Sequence, residues 1–309
     1  MAEFEHIPVL LNEVIDGLNI HPDGVYMDGT VGGGGHSFEI ASRLSAEGRL
    51  FCFDKDPEAI EAAGQRLSPF PNVKIIRSDF RDAGMALEDW KGKVNGALLD
   101  LGVSSHQLDV AERGFSYAKE GELDMRMSDS GMTAADAVNT LSFEELCRIL
   151  RDYGDENFAP QIANRIIKRR EVQPFETTTD LSDVVVSAFP PAVRRKEKHP
   201  AKKTFQALRI YVNDEMGALE EGLGAIFDLL APGGRFCVIT FHSIEDRLVK
   251  QYFAKLQQGC TCPPEFPVCV CGNKEKAKAV TRKPITAGET EMETNRRARS
   301  AKLRIIEKL

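Results

Sequence analysis

A chain of 309 residues, 42% hydrophobic and 28% charged, is long enough for one large domain or one domain with a second folded into it. No apolar stretch approaches the roughly 18 residues of a membrane span, and the opening MAEFEHIPVLLNEV lacks the basic region and cleavage site of a signal peptide, so a cytoplasmic protein without a membrane partner is expected. A formal net charge of -7 argues against indiscriminate nucleic-acid binding, and seven cysteines, three of them isolated (Cys52, Cys147, Cys237), suit a reducing compartment better than a disulfide framework.

In chain order, VYMD (25 to 28), RLFCFD (49 to 54), VKII (73 to 76) and GALLDLG (96 to 102) read as buried strands. SFEIASRL, PEAIEAAGQRL and AGMALEDW read as helices between them. Strands apolar on both faces, alternating with helices, predict an α/β protein with a parallel sheet covered by helices. From 106 to 208 the pattern turns helical and polar, with FEELCRILRDYG and ANRIIKRR as its clearest helices. Strand and helix order then resumes. Leu208, Val212, Met216, Leu219, Leu223, Ile226 and Leu230 predict one long amphipathic helix, ended by a glycine turn at APGGR. RFCVITF (235 to 241) is a further buried strand, and Ser243, with Asp246 three residues on, is the expected N-cap of the next helix. The early sheet lacks enough strands and the late segment supplies more, so the middle is read as an insertion. The expected domains are 1–105 and 209–309 for the sheet and 106–208 for the inserted helical part.

Charge follows this division. From Asp109 to Pro160 there are twelve acids against five bases, and from Gln161 to Leu208 five acids against ten bases. RRKEKHPAKK (194 to 203) and RRARSAKLR (296 to 304) are the basic clusters, either solvated faces or sites for a local anionic partner. Between them CTCPPEFPVCVC packs Cys260, Cys262, Cys269 and Cys271 into twelve residues. Its C-x-C spacing departs from the usual C-x2-4-C of zinc sites, so free thiols or redox-sensitive pairs are favoured over structural zinc, and no metal ligand is assigned.

The stretch DGTVGGGGHS (28 to 37) follows a strand and precedes a helix, placing backbone N–H groups and a helix N-terminus around the turn. Asp54 lies twenty positions after Gly34 at the end of the second strand, where a carboxylate in such a fold reaches ribose hydroxyls. NAD and S-adenosylmethionine both carry adenosine, so Asp54 does not separate them. The turn is not a close GxGxxG match, and Asp28 would repel a pyrophosphate while suiting a cation; a plain hydrogen bond from Asp28 to the loop backbone stays open. Asp100 ends a third strand of the same type.

The set HIPVLLNEV, DGTVGGGGHS, LLDLGVSSHQLD, ERGFSY, LDMRM, KTFQALRIYVN, APGGR, FHSIEDR and RARSAKLR closely resembles the RsmH (MraW) family of bacterial ribosomal RNA methyltransferases, in the family's order from His6 to beyond Arg304. The resemblance implies a Rossmann-like class I S-adenosylmethionine-dependent methyltransferase fold with an inserted, mainly helical, substrate-recognition domain. It also implies S-adenosyl-L-methionine as cofactor and methylation of the exocyclic N4 of a P-site cytidine that also bears a ribose methyl added by another enzyme. The implied partner is 16S rRNA in an assembled or late-assembling small ribosomal subunit; a homodimer stays open. The family's cofactor positions fall on Gly34, Gly35, His36, Asp54, Phe80, Asp100 and Gln107. Phe80 suits the adenine face or ordinary packing, His36 suits orienting the turn, and Gln107 offers a donor and an acceptor on one amide. Many amino-methyltransferases place an acid or amide and Pro-Pro-aromatic after the fourth strand, whereas this chain has DLGVSS. Asp100, Ser104, Ser105 or a loop carbonyl is therefore expected to hold the cytosine amino hydrogens, with no single general base. His242 or Arg247 in FHSIEDR is read either as an RNA contact or as part of a helix cap. The competing readings are a methyltransferase acting on DNA or a small amine, an RNA-binding assembly factor without turnover, and a dehydrogenase.

Overall fold

The computed structural model describes residues 8–194, 199–263, 266 and 268–309. Two compact units emerge, Met1–Gly102 with Gly217–Leu309, and Val103–Met216.

The first unit opens with α1 (Leu11–Leu18) and then alternates β1 (Val25–Asp28), α2 (Gly35–Ala41), β2 (Arg49–Asp54), α3 (Pro57–Leu67), β3 (Val73–Arg77), the short α4 (Ala83–Ala86) and β4 (Val94–Asp100). These strands meet the sequence expectation to within two residues at each end. An unbroken apolar run has no polar face to turn to solvent, and Ala97, Leu98 and Leu99 of β4 are accordingly all fully buried. AGMALEDW, expected as one helix, instead breaks into α4 and a 3-10 turn at Glu88–Trp90.

The second unit carries α5 (Ser105–Asp109), α6 (Ala134–Thr140), α7 (Phe143–Gly154), α8 (Ala159–Arg170), α9 (Thr178–Ala188), α10 (Pro191–Arg194) and α11 (Lys202–Val212). Leu146, Ile149 and Leu150 of α7, Ile162 and Ile166 of α8, Leu181 and Val185 of α9 and Leu208 of α11 share its core. The chain then enters α12 (Glu215–Leu229), whose first two residues belong to this unit and whose remainder belongs to the first.

The single long helix expected from Leu208 to Leu230 is thus two. Asp214 adopts the left-handed conformation at φ 47°, and the Asn213 side-chain amide grips another segment. Its Oδ1 accepts from Met127 N and its Nδ2 donates to Met125 O, both at 2.7 Å. A continuous apolar stripe could not reveal that break, since periodicity reports which face is buried and not where the backbone turns.

Back in the first unit come β5 (Leu230–Thr240), α13 (Ser243–Leu256), β6 (Ala277–Ala279), α14 (Glu289–Thr294) and β7 (Lys302–Lys308). The APGGR turn lies inside β5 rather than before it: Val94 pairs with Leu230 and Gly96 with Arg235, so β5 bulges, with Gly233 at φ 79°. The seven strands run in the order β3-β2-β1-β4-β5-β7-β6. β1 to β5 are parallel and β7 is antiparallel to both β5 and β6. This is a Rossmann-like α/β architecture. Among the described residues, no helix is long and apolar enough to cross a membrane.

Candidate functional site

Strand order reverses between β1 and β4, and ligands of open α/β sheets bind at that switch, beyond the carboxyl ends of the strands. Asp28, Asp54 and Asp100 end β1, β2 and β4 there. Asp28 is almost fully buried; Ser37 Oγ donates to its Oδ2 at 2.6 Å and Thr30 N to its Oδ1 at 3.1 Å. The loop-backbone reading of Asp28 therefore accounts for one of its oxygens, and Ser37 for the other. Asp54 accepts from Gly32 N and from Asp56 N, each at 2.9 Å, so it pins the glycine turn while closing the start of the next one. Burial pushes both carboxyls up to about 6 against these bonds.

Asp100 is the most perturbed of the three. Burial, then the negative charges of Asp28 and Glu245, raise its carboxyl to about 8, with Arg297 pulling the other way. Thr30 Oγ1 accepts from its backbone N at 2.6 Å, yet its side-chain Oδ1 is buried with no hydrogen-bond partner among the described residues. Such an orphaned oxygen among mutually repelling carboxylates is costly unless a positive or donating group completes it.

The turn beside these acids is shaped by the chain's own packing. Gly34 sits at φ 75° as the N-cap of α2, without a side-chain cap, so the first backbone N–H groups of α2 keep no partner from a capping side chain. A Cβ on Gly35 would collide with the Pro8 ring. His36 lies in the first turn of α2; its Nε2 donates to Val9 O at 3.0 Å and its Nδ1 stands 3.7 Å from Asp100 Oδ2. The ring thereby ties the start of α2 to the Val9 carbonyl and stands near the Asp100 tip. Phe80 opens a 3-10 turn after β3, half-buried, one edge of its ring against the Gly222 backbone of α12, where a Cβ would clash with it. Gly34, Gly35, His36, Asp54, Phe80 and Asp100 thus all belong to the first unit.

Ser104, Ser105 and Gln107 belong to the second, at the start of α5. Ser104 Oγ accepts from Gln107 N at 3.1 Å and Gln107 Oε1 accepts from Ser104 N at 2.9 Å, a reciprocal capping box that locks both side chains. The amide oxygen of Gln107 is therefore engaged within its own turn.

In FHSIEDR the cap is one residue earlier than expected. His242, not Ser243, is the N-cap of α13: its Nδ1 accepts from Glu245 N, and Glu245 Oε2 accepts from Phe241 N at 2.8 Å. An imidazole nitrogen can do the work of a serine oxygen here, which a search for Ser and Asp overlooks. Glu245 and Arg297 are the groups that the sequence reading missed. Glu245 was hidden as an ordinary helix acid, and Arg297 by its place in the basic run 296–304. Two members of that run are spent inside the fold, since Lys302 and Arg304 both pair with Asp246, at 3.1 and 2.8 Å. In the other basic run, 195–198 lie outside the described residues, while Arg194 donates to Phe189 O and Ser187 O and Lys203 to Asp155 O.

S-adenosylmethionine fits this donor set. Its sulfonium and ammonium are positive, and the buried acids with the orphaned Asp100 oxygen draw positive charge. The chain matches the MraW methylase family over residues 3–309. It is 54% identical to the ribosomal RNA small subunit methyltransferase H of Heliobacterium modesticaldum over 310 residues, covering 99% of each chain. The protein of the same name from Heliobacterium mobile is also 54% identical, over 99% of this chain and 100% of its own. Ribosomal RNA small subunit methyltransferase H 2 of Agathobacter rectalis is 53% identical, over 99% of both. With a match over nearly its whole length, the chain belongs to the MraW methylase family of S-adenosylmethionine-dependent methyltransferases.

Proposed function

We propose that the enzyme methylates the exocyclic N4 of a P-site cytidine in 16S rRNA, in the cytoplasm, on an assembled or late-assembling small ribosomal subunit. The names of its relatives support an rRNA substrate, and the motif resemblance supports the cytidine N4. The observation that carries the reading is the Asp28, Asp54 and Asp100 cluster at the sheet's switch point, with the buried, unpartnered oxygen of Asp100.

When bound, S-adenosylmethionine supplies an electrophilic methyl on a sulfonium. Asp54, already holding Gly32, orients its remaining lone pairs for ribose hydroxyls, and the uncapped start of α2 at Gly34 and Gly35 offers backbone donors. The half-buried Phe80 ring would hold the adenine, a contact worth about 1 to 3 kcal/mol if base-aromatic stacking is a guide. Gln107 contributes from its clamped rotamer. Asp100 ionises against positive charge.

Cytosine N4 is a weak nucleophile because its lone pair is delocalised into the ring. The protein's task is to hold N4 in line and to accept its amino hydrogens as the nitrogen pyramidalises. Positioning of this kind lowers a barrier by roughly 7 to 11 kcal/mol in favourable cases. Asp100 on the first unit, and Ser104 and Ser105 on the second, are the groups proposed to accept those hydrogens, with no single general base, and the proton shed by N4 passes to water. The base must first be unpaired and unstacked, and the helical unit Val103–Met216 serves as the RNA platform, through its basic run.

The test is mass-spectrometric mapping of 16S rRNA from cells lacking the protein. One cytidine N4 methyl should vanish at the P site and return with the wild-type chain. An unchanged modification map would refute the reading. Alanine at Arg195, Lys196, Lys198 and Lys202, which spares the internally bonded Arg194 and Lys203, should weaken RNA binding and flatten its salt dependence without touching cofactor affinity.

A further inference from the structure

Three of the seven cysteines, Cys52, Cys147 and Cys237, are buried as ordinary small apolar side chains. The other four converge. One sulfur each from Cys260, Cys262, Cys269 and Cys271 lies within 4.8 Å of all the others. Cys260 Sγ is 3.3 Å from Cys269 Sγ and 3.7 Å from Cys271 Sγ, and the last two are 3.6 Å apart. A disulfide needs about 2.05 Å, so none of these is one. Four sulfurs at about 2.3 Å from a tetrahedral zinc would be about 3.8 Å apart along each edge, close to the spacing present.

Two further observations point the same way. Backbone N–H groups aim at the sulfurs: Val270 N and Cys271 N both donate to Cys262 Sγ at 3.3 Å, and Thr261 N donates to Cys271 Sγ at 3.3 Å, joined by Asn273 N at 3.4 Å. Such donors stabilise thiolates and orient metal-bound sulfur. Moreover, between Leu256 and Ala277 no described residue is buried, and Phe266, Val268 and Val270 are largely exposed. A segment with no buried apolar side chain among its described residues that nonetheless gathers four side chains needs another source of order.

We propose that Cys260, Cys262, Cys269 and Cys271 form a tetrathiolate site for one structural zinc ion, which organises the segment between α13 and β6. Binding exchanges four thiol protons, released to solvent, for four zinc–sulfur bonds, leaving the cysteines unoxidised. The C-x-C spacing that speaks against zinc in the sequence is accommodated because each pair lies on irregular backbone, and the two pairs interleave through Cys260 with Cys269 and Cys262 with the 270–271 backbone.

The test is elemental analysis of the full-length protein purified without chelators, together with thiol counting in the native state. One zinc per chain is expected, with the four sulfurs slow to react with Ellman's reagent until a chelator is added. Cys260→Ser and Cys271→Ser should each lose the zinc while retaining S-adenosylmethionine binding by calorimetry, which shows that they fold. Cobalt should replace zinc with the absorption of a tetrahedral tetrathiolate. Iron in place of zinc, two disulfides by mass spectrometry, or four rapidly reactive thiols in metal-free protein from zinc-supplemented growth would each overturn the proposal.

Discussion

The start of α2 differs from the starts of several helices in the Val103–Met216 unit. In the Val103–Met216 unit, α5, α6, α7 and α9 each start with a reciprocal capping box, led by Ser104, Thr133, Ser142 and Thr177. In the sheet unit, α2 starts at Gly34 with no side-chain cap, next to carboxylates that burial drives toward their neutral forms. Buried side-chain atoms without a hydrogen-bond partner occur in both units among the described residues, Thr204 Oγ1 in the helical one and Asp100 Oδ1 in the sheet one, but Asp100 Oδ1 lies among carboxylates at a strand tip. The contrast teaches where to look for function in an α/β enzyme: an uncapped helix start and an unpartnered carboxylate oxygen, met together at the carboxyl ends of the strands, mark a candidate ligand site.

The sharpest way to break this comparison is at Asp100. Asp100→Asn should lower methyl transfer about 100- to 1,000-fold, the cost of losing one preorganised electrostatic partner. Radiolabelled methyl incorporation into small subunits checks it, and near-normal turnover would place the orphaned oxygen outside the site. Next in size is the helical unit's own buried polar contact. Asn213→Ala strands Met127 N and Met125 O and should cost about 2 to 3 kcal/mol in denaturant unfolding, leaving S-adenosylmethionine affinity unchanged. Thr177→Ala removes one cap and should cost about 1 kcal/mol of stability, again without an effect on cofactor binding.

The pH response is the subtlest effect and separates the units most cleanly. A carboxyl raised from 3.8 to about 8 holds its proton longer folded than unfolded, so Asp100 makes the cofactor-free protein lose stability as pH climbs between those values. Asp28 and Asp54 add losses that end near pH 6. Thermal melts across pH 4 to 9 should show this fall, with the part between about 6 and 8 flattened in Asp100→Asn. Since positive charge favours the ionised form, S-adenosylmethionine should bind more tightly as pH rises toward 8 and take up no further benefit above it. A melt that rises with pH over that window would contradict the buried-acid account.

Local pattern settled much of this protein. Buried strands announce themselves through unbroken apolar runs, and VYMD, RLFCFD and GALLDLG place β1, β2 and β4 and bring Asp28, Asp54 and Asp100 to their ends. Cofactor class and family were legible because their motifs are contiguous. What chain order could not convey is anything set by groups far apart in sequence. The break at Asn213 depends on the 125–127 backbone, the charge on Asp100 on Glu245 and Arg297, and the meeting of four cysteine sulfurs on how two C-x-C segments face each other. Periodicity encodes which side of an element is buried, whereas burial of charge and convergence of ligands are properties of the packed chain, where low dielectric and distance in space, not in sequence, determine the energies.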